Sequence, residues 1–261
     1  MVSPFDDHDP TFERVSPVRR ATTRCVPARA LQRPGWITAI DVAAVVCFAA
    51  LLGLGMLRLV RLADDATDLI VAAAIAPVAY LAADLASGLV HWFCDTFFCE
   101  TSPLIGRLLI QPFREHHRDP LALTRHGFFE LNGNNCLALI PMLALWSWQQ
   151  GNLSGAPSVA CEAFVVWFSF AVFATNQLHK WAHAHAVREP VRWLQQRGLV
   201  LSPEHHSVHH RAPHGRAYCV ASGWMNPLVD RLGLFPWLES VARGIGITRQ
   251  DAPPIATRAA A

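Results

Sequence analysis

The sequence predicts an all-α integral membrane protein of about four transmembrane helices, capped on one side by a His-rich helical segment. Three observations lead there. Hydrophobic residues make up 52% of the chain and charged residues only 16%, well under the roughly 25% charged fraction of soluble domains. Four apolar stretches approach the roughly 20 residues that a helix needs to cross a bilayer. Twelve of the thirteen histidines fall between His91 and His214.

Taken in order, residues 1–35 carry six Arg and five Pro with little apolar periodicity, so they are expected to form a disordered basic tail. The segment lacks the apolar core and small-residue cleavage site of a signal peptide. The first helix is expected over 36–60, with Asp41 and Arg58 close enough to its ends to reach water. The second, 69–92, contains Asp84 and His91, and Pro77 is expected to kink it. Asp84 is costly in such a helix without a partner, and a polar group on a neighbouring helix is the simplest one. The third helix, 131–149, has no formally charged residue, QQGNLSGAPS (149–158) reads as a turn, and the fourth helix runs over 159–178. These belong to one membrane domain, 36–235, followed by a C-terminal tail, 236–261.

Charge orients the helices. With four crossings, the tail, the loop near 95–130 and everything from Lys180 onward share one side and hold 6, 4 and 10 Lys and Arg residues, against Arg58 and Arg61 on the other. By the positive-inside tendency both ends of the chain are cytoplasmic, and all twelve clustered histidines fall on that same face. A net charge of +2 is too small for a protein whose main partner is a nucleic acid. The seven Cys lie mostly in apolar stretches without a CxxC pair and are expected to be reduced, buried small residues.

Spacing suggests how the histidines are used. His179 and His183 are one helical turn apart, as are His205 with His209, His206 with His210, and His91 with Asp95. Each pair can present two ligands to one cavity, and so many imidazoles exceed the three or four of a zinc site. His116 and His117 taken alone read as a loop feature, EHHSVHH as a metal-scavenging tract, and His8 and His185 as surface residues. His126 and His214 are equally readable as ligands or as groups that orient them. The Glu-x-x-His repeats of ferritin-like carboxylate sites are absent. That leaves a His-rich di-iron centre of the membrane desaturase and hydroxylase kind, with O₂ as co-substrate and water excluded from the oxidant.

Four segments carry a family resemblance: DLASGLVHWFCDT (84–96), FREHHRDPLALTRHGFFELNGNN (113–135), TNQLHKWAHA (175–184) and PEHHSVHHRAPHGRAYCVASGWMNP (203–227). Together, over roughly 80–235, they resemble the plasmanylethanolamine desaturases, which form plasmalogens. The resemblance implies an enzyme that uses two Fe ions, O₂ and external electrons to convert a 1-O-alkyl ether phospholipid into the 1-O-alk-1′-enyl lipid. It implies His91 with Asp95 as the first element of the site and His116 with His117 as the second. It adds His126 in the same loop, His179 and His183, and then His205, His206, His209 and His210. Asp95 and Asn176 are the expected catalytic residues outside the imidazole set, Asn176 holding a metal-bound water or orienting a ring. One departure is Gly127, where the family commonly has an acidic residue.

The implied partners are a membrane ether phospholipid and a ferredoxin- or cytochrome-type electron donor, and the implied location is a bacterial inner membrane. Three alternatives are distinguishable. An acyl-chain phosphatidylglycerol desaturase of the same superfamily differs only in the bond chosen. A haem electron-transfer protein needs His pairs inside the helices rather than at their ends. A metal-storage protein tolerates loss of EHHSVHH without losing a lipid product.

Overall fold

The computed structural model describes residues 34–103, 105–152 and 158–250. The expected basic tail lies outside the described residues except for Pro34 and Gly35. Ten α-helices and one π-helical turn, with no strand, are found among the described residues. Four of the helices are long: α1 (Gly35–Leu62), α2 (Ala66–Thr96), α5 (Phe128–Asn152) and α6 (Val159–His183). The short ones are α3 (Gln111–Arg118), reached through a π-helical turn at Gly106–Ile110, and α4 (Ala122–Arg125). After the bundle come α7 (Glu189–Gln196), α8 (Pro203–Ser207), α9 (Asn226–Arg231) and α10 (Leu234–Gly244).

Local chemistry starts the long helices. The Asp65 side chain accepts the Asp68 N–H at 2.9 Å to open α2, and Ser158 does the same for Cys161 at 3.3 Å in α6, each satisfying a donor with no partner in its own helix. α2 continues through Pro77 and α5 through Pro141.

Contacts at both ends set the helix directions. Asp41 lies against Gly133, and Arg58 donates to Ser147 Oγ at 3.2 Å, so α1 and α5 run the same way. Trp167 donates to the Ala72 carbonyl at 3.0 Å and His179 lies beside His91, so α2 and α6 run together. Arg58 also pairs with Glu162 at 3.0 Å, which makes α1 antiparallel to α6. The result is an up-down-up-down bundle. Ala44, Val45 and Phe48 of α1 pack on Cys136, Leu139 and Leu143 of α5 at its centre, while Val46, Leu57, Ile70, Val78 and Phe170 face outward. An apolar exterior suits lipid, where the buried positions are the ones that hold polar groups.

α1, α2 and α6 are long and apolar enough to cross a membrane. α5 matches α6 at 25 residues, but Glu130, Asn132, Asn134 and Asn135 occupy its first two turns, so hydropathy yields three crossings where four were expected. Neither Asp41 nor Arg58 reaches for water as expected. Asp41 is buried against α5, where Gly133 leaves room for it, and Arg58 turns inward to the buried Glu162.

The short helices cover the bundle end formed by the C-termini of α2 and α6. Trp92, Phe97, Tyr218, Cys219, Val229 and Phe235 make their core. Phe235 belongs to α10, and the Gln250 N–H reaches the Thr96 carbonyl at 2.8 Å, so the segment expected as a tail from 236 is helical to Gly244 and is tied back to the end of α2 at Gln250. Cys94, Cys136 and Cys219 are free and buried as expected. Cys47 and Cys161 are free but exposed, on outward helix faces where a thiol is as compatible with lipid as an alkyl group. Cys99 departs from the expectation, being disulfide-bonded.

Candidate metal centre

Eight imidazoles from four elements converge where α2 and α6 meet the cap. His116, His179, His183, His206 and His210 form one group, and His91, His116, His117 and His209 form another, the ligand atoms of each lying within 4.8 Å of one another. His91 comes from α2, His116 and His117 from α3, and His179 and His183 from the last two turns of α6. His206 lies on α8, whose first turn is set by the Ser202 hydroxyl accepting the His205 N–H at 3.2 Å, with Pro203 at the position where its missing donor costs nothing. His209 and His210 follow in the turn after α8.

In the first group, the Nε2 atoms of His179 and His206 are 2.9 Å apart, those of His206 and His183 2.9 Å, and those of His183 and His179 3.2 Å. His210 Nε2 adds a fourth contact, 3.0 Å from that of His206. Hydrogen bonds cannot satisfy this triangle. Each nitrogen either carries a proton or offers a lone pair, so among three at least one pair is alike and repels. A metal at the centre removes the conflict, because ligands at right angles on bonds of about 2.1 Å lie roughly 3.0 Å apart.

The second group adds a carboxylate. Asp95 Oδ2 lies 2.9 Å from His117 Nε2, 3.3 Å from His91 Nε2 and 3.4 Å from His209 Nε2. The His91 and His209 rings have fixed tautomers, since their Nδ1–H groups donate to the Tyr218 carbonyl at 3.1 Å and the Arg216 carbonyl at 2.8 Å. Both Nε2 lone pairs are therefore turned toward an anionic oxygen. A cation among them, a metal ion or a ring proton, relieves the repulsion, and this backbone-oriented imidazole is the usual form of a metal-bound histidine. Among the described residues, the buried Nε2 atoms of His91 and of His116 make no hydrogen bond, as expected of atoms reserved for a metal.

Burial also prepares the rings that come from the cap. It pushes the pKa of His116 and of His206 well below the ordinary value, with neighbouring imidazoles adding to the effect, and takes His210 down to about 2. These rings are neutral at physiological pH and their lone pairs are available.

Two of the expected ligands stand apart from both groups. The His205 ring packs against Gly223, whose φ of +78° and closeness to the ring leave no room for a side chain, and its Nε2 is 3.3 Å from Asn226 Nδ2. His126 lies 3.9 Å from Glu130 and lines a cavity beside the first group. The walls of that cavity include His116 and His179, the polar residues Glu130, Asn134 and Asn176, and the apolar residues Pro112, Phe113, Leu123 and Leu131. Asn176 donates to the Leu131 carbonyl at 2.6 Å. His214 is half-buried, donates through Nδ1–H to the His209 carbonyl at 3.1 Å, and meets the His117 ring edge-on with centroids 4.7 Å apart. His185 is exposed, as expected.

Two supporting residues were not anticipated in their roles. Asp84 finds its partners in the backbone of the cap rather than in a neighbouring helix. Oδ1 accepts the N–H groups of Ala221, Ser222 and Gly223 at 2.9, 2.9 and 3.0 Å, and Oδ2 that of Met225 at 3.0 Å. Arg114, buried two residues before His116, donates to the carbonyls of Cys94 at 3.3 Å and Asp95 at 3.2 Å, closing the end of α2 where carbonyls lack partners. Its place in the FREHH motif was the available signal.

Comparison with known proteins gives one consistent answer. A family model described as a lipid desaturase domain matches residues 80–249. The plasmanylethanolamine desaturase of Myxococcus xanthus is 40% identical over 218 residues, 82% of this chain and 76% of the relative. Plasmanylethanolamine desaturase 1 of Mus musculus is 38% identical over 208 residues, 77% and 75% of the two chains. Chloroplastic fatty acid desaturase 4 of Arabidopsis thaliana is 35% identical over 164 residues, 62% and 49%. No solved structure matches.

Proposed function

The chain belongs to the lipid desaturase family, and from that premise we propose that this membrane enzyme converts a 1-O-alkyl ether phospholipid, plasmanylethanolamine, into its 1-O-alk-1′-enyl form. The observation that carries the substrate is that both relatives named for it align over most of this chain and of their own length. In the balanced reaction, the C1′–C2′ single bond loses two hydrogens. O₂ takes these with two electrons and two protons from outside and leaves as two waters.

Two iron ions held by the two imidazole groups and Asp95 would supply the O₂ chemistry. The chain's own residues do the rest. Burial keeps the cap imidazoles unprotonated, and the Tyr218 and Arg216 carbonyls hold His91 and His209 in the ligating tautomer. Arg114 fixes the last turn of α2, and with it the backbone of Asp95. Packed apolar side chains around Trp92 and Tyr218 exclude water from one side. His126 and Asn176 are assigned to the cavity beside the first group rather than to the metal.

The cap faces the cytoplasm of a bacterial inner membrane in this reading, because the side with His91 and His179 also carries nearly all Lys and Arg. A ferredoxin or small cytochrome can reach it there. The packing of α5 along α1 from Asp41 to Ser147 supports a fourth crossing. In cells supplied with an alkyl ether precursor, expression should yield lipids that release aldehydes in mild acid, and only with O₂ present. If the ether lipid stays saturated while an acyl chain of phosphatidylglycerol gains a double bond, the substrate is the other one. The match to the chloroplast desaturase is the observation behind that second reading.

A further inference from the structure

The cavity beside the first imidazole group has two chemical halves. Phe113, Leu123 and Leu131 make one wall apolar, while His126, Glu130, Asn134 and Asn176 make another polar, and His116 and His179 reach its surface. Four asparagines cluster at this end of α5 and α6, and three of their amides are committed to backbone. Asn132 donates to the Phe128 carbonyl at 2.9 Å, Asn135 to the Val172 carbonyl at 2.8 Å and Asn176 to the Leu131 carbonyl at 2.6 Å. Asn134 makes no hydrogen bond among the described residues, and its half-buried amide lines the cavity. The amide is open to the cavity, so a ligand there can take its N–H groups in place of water.

We propose that this cavity seats the ether-linked junction of the lipid, and that Asn134 fixes the position of the chain by donating its amide N–H to an oxygen at the glycerol end. The inference rests on the ether-lipid reading above and deepens it. An ether oxygen only accepts hydrogen bonds, as do ester and phosphate oxygens, so the partner has to be a donor, and Asn134 carries two uncommitted N–H bonds. The first carbons of the chain then lie along Phe113, Leu123 and Leu131, beside His116 and His179. A hydrogen bond at the last polar atom before the chain sets which carbon meets the metal, as a stop sets the length of a cut. Asn134 is thus a specificity residue, separate from the metal ligands.

The test uses the full-length protein in native membranes, with Asn134→Leu, which keeps the size and loses the donors, and Asn134→Ser, which keeps one donor. Each is assayed on an alkyl ether phospholipid and on phosphatidylglycerol, with product double-bond position, iron content and membrane yield measured in parallel. In Asn134→Leu we expect kcat/KM on the ether lipid to fall about tenfold, the size of one hydrogen bond. Part of the product should carry its double bond displaced from C1′–C2′, with iron content unchanged, and Asn134→Ser should be intermediate. Unchanged kcat/KM and bond position in Asn134→Leu would overturn the proposal. So would loss of iron or of membrane protein in both variants, because the residue is then structural. If the wild type itself forms no vinyl ether but desaturates phosphatidylglycerol, the ether-lipid reading is what has failed.

Discussion

Asp84 of α2 reaches across the bundle end to Met225, its Oδ2 accepting the Met225 N–H at 3.0 Å while Oδ1 takes three further backbone donors from Ala221, Ser222 and Gly223. One carboxylate therefore ties the loop that carries Tyr218, the acceptor of the His91 ring, to the helix that carries His91 itself.

Replacing Asp84 by Asn should be far more damaging than its size suggests. The amide oxygen can keep the three donors of Oδ1, now without the negative charge, but the NH₂ points an N–H at the Met225 N–H and leaves that donor unpaired, a loss of about 3 kcal/mol. Iron content and detergent-denaturation midpoint should fall together. A variant with normal stability would show that the loop is held by packing alone.

The two neighbouring histidines of the PEHHS segment should behave differently. His206 makes Nε2 contacts to three rings of the first group, so His206→Ala should abolish activity and lower bound iron while the protein remains in the membrane. His205 touches Gly223 and Asn226 instead. His205→Ala should retain iron, with activity reduced no more than severalfold through loosening of that loop. Equal iron loss in both variants would return His205 to the ligand set.

Membrane topology is open to direct measurement. Reporter domains fused after residue 64 and after residue 154 should both signal the side opposite the cap, and one fused after residue 215 should signal the cytoplasm. A cytoplasmic signal after residue 154 would remove the fourth crossing, and would leave the convergence of the histidines without its orientation.

At the other end of the bundle, Glu162 is fully buried and holds Arg58 at 3.0 Å and the Trp146 indole at 2.8 Å, joining α1, α5 and α6. Removing one partner strands the other, so Glu162→Gln should cost about 3 kcal/mol. The double replacement Arg58→Met with Glu162→Leu should recover most of it. Denaturation of the purified protein in detergent reads this directly, and iron content should change little, because the pair lies far from the cap.

Much of this was legible in the chain because lipid and metal each impose a simple rule. Apolar length gave the long helices to within a few residues, and i, i+4 spacing paired His179 with His183 and His206 with His210. The rest depends on contacts between distant segments. Spacing treats His205 with His209 just as it treats His206 with His210, and only the close approach of Gly223 turns His205 away. The apolar neighbours of Asp84 marked it as needing a partner, but backbone amides from the 221–225 loop leave no signature in sequence. Asp41 and Arg58 looked free to reach water because Gly133 and Glu162, which receive them, lie on other helices.

The placement of every candidate ligand at one end of the bundle makes the enzyme sided. Along α2, at 1.5 Å per residue, His91 stands roughly 38 Å from Ala66, beyond the roughly 30 Å of hydrocarbon. With the helices crossing as proposed above, only the leaflet whose headgroups lie at that level can present a chain to the rings, and the opposite leaflet is out of reach. New product therefore enters a single leaflet, and its appearance in the other reports lipid translocation rather than catalysis.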